Sequence, residues 1–436
     1  MNAIQRQRKP WFRTPRITAF GAGLAFTFVL ALSALPVHAE EEGETVSRAE
    51  YEALREELRE LRSQVEELRG QAEEPPGEPE RPLREEPEAP EDRVIVEWDR
   101  ALTFSEPEGR FSLSIGGRLQ PRYQYERREG QSNHSSFSFR RLRLQFGGHA
   151  YSRDLTYRVT PELSRTASLR DGWVNYKLHD SVQVRIGQYN VPFAWERDSS
   201  SSRHQFVERS IANNEFQWND GRDLGVMFHG NLNDRVRYAT GVFGGEGRNT
   251  SATASEGNLY TGRLTYAPVG AYPRAEALVS PVEGTNMAFG LGASYANQNA
   301  GRDWHPWSDA DTGEPAHVFA GTADFHFQAG RFASHLMGFF RDVDPLREAP
   351  YDGFGASWQA GYLLLPGRLF GSLRYSYSEP NTDEKQSRKR EMMMGLQIFH
   401  SGHGSKLHLE TGRIQNHDGH DWRDTDLIRV QYQLLF

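Results

Sequence analysis

Apolar and polar residues alternate along most of the chain with the period of two that is typical of β-strands with one wet and one greasy face. In FSFRRLRLQF (137–146), Leu142, Leu144 and Phe146 alternate with Arg141 and Arg143. From residue 111 onward, about sixteen segments have the length of roughly ten residues that a tilted membrane strand needs. Their approximate cores are 111–125, 137–150, 154–163, 169–178, 181–188, 222–231, 234–243, 257–267, 286–296, 316–328, 331–341, 353–365, 368–378, 390–400, 404–414 and 426–436.

The connections between these segments alternate between short and long. Tight turns such as HD, NLND, LPGR and SGHG join six strand pairs, and most other connections are long and polar. Short periplasmic turns and long external loops are typical of bacterial outer-membrane barrels. Residues 93–436 are therefore predicted to form an all-β fold, a 16-stranded antiparallel transmembrane β-barrel with both ends in the periplasm. The overlong connection at 268–285 leaves a miscounted strand pair open.

The first 39 residues have the pattern of a secretory signal peptide. Five basic residues precede the apolar stretch Ile17–Leu35, and Val37-His38-Ala39 offers a cleavage site. A transmembrane anchor is the alternative, since 19 apolar residues nearly span a bilayer. Glu40 follows instead of a cysteine, so no lipid anchor is expected. At the other end, alternation up to Phe436 resembles the last strand of outer-membrane barrels, although a soluble edge strand would also fit.

Two further segments precede the barrel. Residues 40–70 are predicted to be a coiled-coil helix in the periplasm, because six apolar residues have heptad spacing. Three heptads are marginal alone, and a trimer held together by the barrel would let them associate. Residues 71–92 are rich in Pro and Glu and are predicted to be a disordered linker. The heptad residues are Tyr51, Leu54, Leu58, Leu61, Val65 and Leu68.

The arginines of the early strands indicate a water-filled interior. An outward arginine at the bilayer midplane costs about 2–4 kcal/mol, so Arg141 and Arg143 must face the lumen. Phe139 and Arg140 break the alternation, which predicts a β-bulge nearby. The aromatic content of the third external loop, 189–221, predicts that it folds back into the pore. The predicted pore-lining, anion-binding residues are Arg118, Arg122, Arg141, Arg143, Arg158, Lys177 and Arg185 on strands, and Arg197, Arg203 and Arg209 in the loop; later strands add fewer inward arginines, at 237, 263, 374 and 429.

Charge is distributed unevenly along the chain. The 436 residues include no cysteine and carry a formal net charge of −8. Residues 93–436 sum to zero, whereas residues 111–209 hold 16 basic and 9 acidic groups. Guanidinium groups suit oxyanions because they bind them with two parallel hydrogen bonds. A genome-wide preference for arginine codons is the alternative explanation, since arginine is used throughout, the coiled coil included.

Several stretches resemble the phosphate-selective porin O and P family. They are RIGQYNVPFAWERDSSSSRHQFVERS, GRDLGVMFHG, FSLSIGGRLQPRYQY, SFRRLRLQFGGHAY and LRDGWVNYKL, and the similarity is clear over about 105–245. The resemblance implies a trimeric sixteen-stranded outer-membrane porin, often with an N-terminal coiled coil, that passes phosphate or related anions. The matching positions are Gly187-Gln188, Pro192-Phe193, Glu208-Arg209-Ser210 and Gly221-Arg222-Asp223; Asn190 stands where many members carry a lysine.

No enzyme chemistry, metal or cofactor is predicted. His400, His403 and His408 are separated by strand alternation, and the chain has no His-Glu-x-x-His pattern. DADTGE (309–314) lacks the remaining positions of a calcium loop. No spacing indicates a catalytic triad.

The leading hypothesis is a passive, anion-preferring outer-membrane porin for phosphate or similar oxyanions. The expected partners are small anions, outer-membrane lipid, two further copies of the chain in a homotrimer, and peptidoglycan through the coiled coil; no nucleic acid is expected. An unselective general porin and a structural barrel that anchors the coiled coil to the cell wall are the alternatives.

Overall fold

The computed structural model describes residues 56, 59–60, 63–64, 94–98, 101–164, 166–217, 221–250, 257–297, 316–345 and 349–436. The chain divides into two compact units, residues 1–86 and 87–436. In the first unit the described residues 56, 59–60 and 63–64 are helical, and Arg59 lies 3.6 Å from Glu56. The predicted signal peptide (1–39), the predicted linker (71–92) and the remainder of the predicted coiled coil (40–70) lie outside the described residues.

The second unit is a closed antiparallel barrel of sixteen long strands. Each strand pairs with the next one along the chain, and the last strand pairs with the first, Leu435 opposite Arg118. The sixteen-stranded barrel predicted from the alternation is thus confirmed. Its strands are β3 (Ser112–Arg128), β4 (His134–Ala150), β5 (Ser152–Glu162), β6 (Ser168–His179), β7 (Val182–Asn190), β8 (Arg222–Asn231), β9 (Val236–Phe243), β10 (Leu259–Val269), β11 (Val282–Ala296), β12 (Ala316–Gly330), β13 (Phe332–Pro345), β14 (Tyr351–Leu365), β15 (Leu369–Glu379), β16 (Lys389–Ser401), β17 (Ser405–His417) and β18 (Trp422–Leu435).

The barrel wall is apolar outside and polar inside. On β14, Phe354, Trp358 and Tyr362 are 46, 45 and 48% exposed, whereas Ser357 and Gln359 are 1 and 0% exposed. An outward apolar band over a polar interior is the arrangement that a strand needs between lipid and a wet lumen. Among the described residues, no helix is long and apolar enough to cross a membrane.

The predicted β-bulge lies in β4. Gln120 pairs with Arg141 and Pro121 pairs with Phe139, so the register between β3 and β4 shifts by one residue at Arg140. The extra residue reverses the alternation, which explains why Arg140 and Arg141 both contact groups inside the barrel. This prediction is confirmed.

A short hairpin at the start of the barrel was not predicted. β1 (Ile95–Trp98) pairs with β2 (Leu102–Ser105), and β2 continues the sheet beside the first residues of β3. Each strand has four residues, too few for alternation to be recognised.

The overlong connection between β10 and β11 contains no strand. Its residues 270–281 are all described and join the two strands at the barrel end that carries the short turns. The strand count therefore stays at sixteen. The connection between β10 and β11 lies inside the barrel, as does the described part of the connection between β7 and β8.

Candidate functional site

The described residues of the β7–β8 loop, 191–217 and 221, lie inside the barrel. Phe193, Trp195, Phe206 and Phe216 are each at most 1% exposed. Its described residues include two short helices, α1 (Trp195–Asp198) and α2 (Ile211–Phe216). So large an apolar surface is buried only because the loop packs against the barrel wall.

A buried carboxylate fixes the conformation of this loop. Glu196 accepts hydrogen bonds of 2.9 Å from both the backbone N–H and the hydroxyl of Ser210. Ser210 also caps α2, because its hydroxyl accepts from the N–H of Asn213 at 3.2 Å. Arg209 donates to the carbonyl of Glu196 at 2.8 Å. These contacts tie together the two helical segments of the loop.

Glycines on the wall make room for the loop. A Cβ atom on Gly355 would lie 2.8 Å from the ring of Phe216, and one on Gly395 would lie 3.2 Å from the ring of Phe206. Both glycines replace lumen-facing side chains at points where the loop touches the strands. The fit explains why the loop packs closely against β14 and β16.

Polar groups of the wall satisfy the backbone of the loop. Glu391 accepts from the N–H of Ile211 at 3.0 Å, and Gln397 donates to the carbonyl of His204 at 2.8 Å. Arg374 donates to the carbonyl of Glu208 at 2.9 Å. Buried backbone groups need such partners, so β15 and β16 are the support of the loop.

The β7–β8 loop packs against β14–β16 and leaves a cavity along the opposite side of the barrel wall. Its volume is 940 Å³, and the inner faces of β3–β9 and the loop form most of its lining. Among the described lining residues are eleven arginines against two aspartates, Asp171 and Asp198. The arginines are Arg118, Arg143, Arg158, Arg170, Arg185, Arg197, Arg203, Arg209, Arg222, Arg237 and Arg263.

Arg118, Arg158 and Arg185 form no ion pair with an acid among the described residues. Arg118 donates to the hydroxyls of Ser201 and Ser200 at 2.8 and 3.2 Å. The guanidinium groups of Arg158 and Arg185 lie 5.6 and 4.3 Å from the ring centre of Trp173. Neutral hydroxyls and an aromatic ring position these cations without cancelling their charge.

Trp173 holds Arg158 and Arg185 next to each other. Cation–π contacts contribute about 0.5–2 kcal/mol each, which offsets part of the repulsion between two neighbouring cations. The pairing partner of Trp173 on β7 is Gly187, whose φ is +127°. A side chain at Gly187 would overlap the backbone of Gly172, so close approach of the two strands requires glycine here.

Most other strand arginines of the cavity are paired with acids, whereas Arg237 contacts the ring of Tyr272. Arg222 lies 2.9 Å from Asp171, and Arg263 lies 2.8 Å from Asp324. Arg143 forms an ion pair with Glu162. The net positive charge of the cavity therefore depends mostly on the arginines that form no ion pair.

Seven of the ten sequence-predicted residues line the cavity, and Arg122, Arg141 and Lys177 lie elsewhere. Arg122 is 2.6 Å from Glu208 in the loop. Arg141 is 2% exposed and donates to Gln120 at 2.9 Å, in a network that the loop covers. Lys177 is near the end of β6, where its ammonium group is 2.6 Å from Asp180. The alternation of a strand predicts that a side chain points into the barrel. It does not predict whether a loop covers that side chain or how far along the barrel axis it lies.

Sequence reasoning left four lining arginines out of the predicted site. Arg222 was recognised only as part of the Gly-Arg-Asp stretch, and Arg237 and Arg263 only as inward residues of later strands. Arg170 carried no signal of its own. All four line one cavity together with Asn190, whose amide donates to the carbonyl of Arg197 at 2.9 Å.

Glu208 is the acid of the loop that neutralises the covered arginines. It forms ion pairs with Arg122 and Arg140. Burial alone would raise the pKa of Glu208, but Arg140 and the other nearby guanidinium groups hold that pKa well below its usual range. The side chain is therefore a stable anion that keeps two arginines occupied.

The fold and the wet, charged interior define a porin-type channel barrel. Residues 113–315 match the model of the family described as phosphate-selective porin O and P. Porin O of Pseudomonas aeruginosa is 27% identical over 161 residues, 34% of this chain and 36% of that protein. This part of the chain is therefore similar to the phosphate-selective porin O and P family. The family match and the fold together indicate a channel rather than an enzyme.

Further comparisons give one related sequence and two solved structures with the same fold. An uncharacterized protein of Aquifex aeolicus is 23% identical over 370 residues, 74% of this chain and 87% of that protein. The anion-selective porin from Comamonas acidovorans has the same fold, with a TM-score of 0.56, 11% identity, and coverage of 74% of this chain and 99% of its own. The outer membrane channel DcaP of Acinetobacter baumannii has a TM-score of 0.51 at 12% identity, with coverage of 76 and 99%.

Proposed function

We propose that the chain is a passive porin that prefers anions and admits phosphate or related oxyanions. The observation that carries the proposal is the cavity charge: among the described residues, eleven arginines and two aspartates line one space of 940 Å³. A pore lined by one sign of charge favours the opposite ion, because it replaces part of the electrostatic stabilisation that the ion loses with bulk water.

The chemistry of the cavity favours oxyanions over halides. Guanidinium groups bind two oxygens of one anion with parallel hydrogen bonds. Ser200 and Ser201 lie beside Arg118 and add hydroxyl donors at 3.2 and 2.8 Å from it. Arg197, Arg203 and Arg209 supply the loop side of this path, and the β7–β8 loop narrows it from the end opposite the short turns.

Reversal potentials across planar bilayers in a KCl gradient test the anion preference. The expected sign is that of a chloride-preferring pore, and phosphate added at constant ionic strength should reduce the chloride current. Cation preference would refute the proposal. A pore with no preference would support the unselective general porin instead.

Assembly and location complete the proposal. The exposed apolar band of the strands would contact outer-membrane lipid, three copies would form a homotrimer, and residues 40–70 would form a periplasmic coiled coil that contacts peptidoglycan. Deletion of residues 40–92 tests the last part: retained conductance with cell-envelope defects is expected, and lost conductance without such defects would contradict a tethering role.

A further inference from the structure

The β10–β11 connection, residues 270–281, crosses the barrel interior. Tyr272 lines the cavity, where the guanidinium of Arg237 lies 4.7 Å from its ring centre. Further along, Ala277 and Leu278 are 1 and 6% exposed and pack in one cluster with Phe370 of β15. The carbonyl of Val279 accepts from the N–H of Gly367, in the β14–β15 turn, at 2.7 Å. The segment thus reaches from the arginine side to the far wall.

This connection meets the β7–β8 loop inside the barrel. The N–H groups of Glu276 and Ala277 donate to the carbonyl of Arg203 at 3.0 and 3.1 Å. The carboxylate of Glu276 accepts from the N–H of Gln205 at 2.9 Å and from the amide of Gln359 at 2.7 Å. One side chain therefore joins the connection, the loop and β14, and it does so at 1% exposure.

We propose that the β10–β11 connection is a second pore-narrowing element, which enters from the short-turn end and is latched to the β7–β8 loop by Glu276. The inference deepens the proposed porin function and rests on it. Glu276 is a positioning residue: it does not itself line the cavity, and it acts by holding two segments together.

The connection confines ions to the arginine side. Beneath it the wall presents neutral amides, since Gln328 donates to the carbonyl of Ala275 at 2.7 Å and Gln359 donates to Glu276. Without the connection, this wall would border water. The pore would then be wider and, on the added side, free of the arginines that favour anions.

Thiol labelling of the folded protein tests the location of the segment. The natural chain has no cysteine, so single cysteines report one site each. Ala277→Cys should react with a water-soluble, charged thiol reagent about tenfold or more slowly than the matched Ala271→Cys, because Ala271 is exposed and Ala277 is buried. Both should react equally in denaturant. Equal rates in the folded state would overturn the proposal.

Channel recording tests the function of the segment. Replacement of residues 271–281 by an Asn-Gly turn should raise single-channel conductance about twofold or more and weaken anion preference, because a wider pore conducts more and screens its charges better. Glu276→Ala should give part of this rise, and Glu276→Gln, which keeps an acceptor, should give less. Unchanged conductance in a folded replacement variant would overturn the proposal.

The two proposals fail in different ways. If the unaltered pore shows no anion preference but the replacement still raises conductance, the second narrowing element stands and anion selectivity falls. If the unaltered pore prefers anions and neither the replacement nor Glu276→Ala changes conductance, anion selectivity is supported and the second pore-narrowing element is refuted.

Discussion

The arginines without acidic partners should determine ion preference. The perturbation is the triple variant Arg118→Ala, Arg158→Ala, Arg185→Ala, which removes cations that contact hydroxyls or aromatic rings and form no ion pair among the described residues. No carboxylate loses its ion-pair partner, so the change leaves no unpaired buried acid behind. Neutralising Arg143 would be a poorer test, because it would remove the ion-pair partner of Glu162.

The size of the effect follows from the cavity. A sphere of 940 Å³ has a radius of about 6 Å, and at that distance one charge contributes about 0.3–0.7 kcal/mol to an ion in water at physiological salt. Three arginines together give about 1–2 kcal/mol, which lowers anion partitioning about five- to thirtyfold. The loss should shrink at high salt, where the Debye length falls to about 3 Å.

Reversal potentials in asymmetric KCl measure this loss directly. A matched control removes the same net charge outside the cavity: Arg110, Arg127 and Arg423 are 57, 64 and 57% exposed. Their triple alanine variant should keep the reversal potential of the unaltered pore. An unchanged potential in the cavity variant, or an equal change in the control, would refute the assignment of selectivity to these residues.

Three further predictions concern Trp173, the packing of the β7–β8 loop against Gly355, and the ionisation of Glu276. Trp173→Leu should weaken phosphate block of chloride current by about twofold or more, since cation–π contacts worth about 0.5–2 kcal/mol are lost, and Trp173→Phe should retain most of it. Gly355→Val should displace Phe216 and raise conductance, which single-channel recording would detect; an unchanged pore would contradict the close packing. Burial, followed by the charge of Glu196, raises the pKa of Glu276 to about 8. Because a free glutamate has a pKa of about 4.3, the protonated form favours the docked connection; that contribution is complete below about pH 4 and is lost as the pH rises through about 8. Conductance should therefore rise above pH 8, and Glu276→Gln should abolish this rise; an identical rise in the glutamine variant would contradict it. Other charged or titratable groups near Glu276 are His204, Glu196, His335, Arg374 and Lys406.

The barrel could be predicted because its strands face two solvents. Alternation is imposed on every strand by lipid outside and water inside, so the signal recurs from Ser112 to Leu435. The bulge at Arg140 was predictable for the same reason, since two consecutive residues of one polarity break the rule. The β1–β2 hairpin follows no such rule, and each of its strands has only four residues.

The site was predictable only in part because it depends on what fills the barrel. Inward direction followed from alternation for Arg118 and for Arg141 alike. Whether each meets water depends on contacts far apart in sequence: the loop leaves Arg118 at the cavity and encloses the network of Arg141 through Gln433, which donates to the carbonyl of Ser202 at 3.1 Å. The length of the β10–β11 connection was a signal, but only its contacts reveal a location inside the barrel.

The two segments inside the barrel also explain how a domain without net charge could prefer anions. Residues 93–436 carry no net charge, which argues against selectivity if an ion samples the whole lumen. Charges act over about 8 Å at physiological salt, so only groups near the path matter. The β7–β8 loop and the β10–β11 connection cover the wall on which Arg374 is paired with Glu391, and the remaining space lies against β3–β9. Under the proposed function, anion preference thus depends on the β7–β8 loop and the β10–β11 connection as much as on the arginines. Widening the pore should weaken this preference even with every arginine in place.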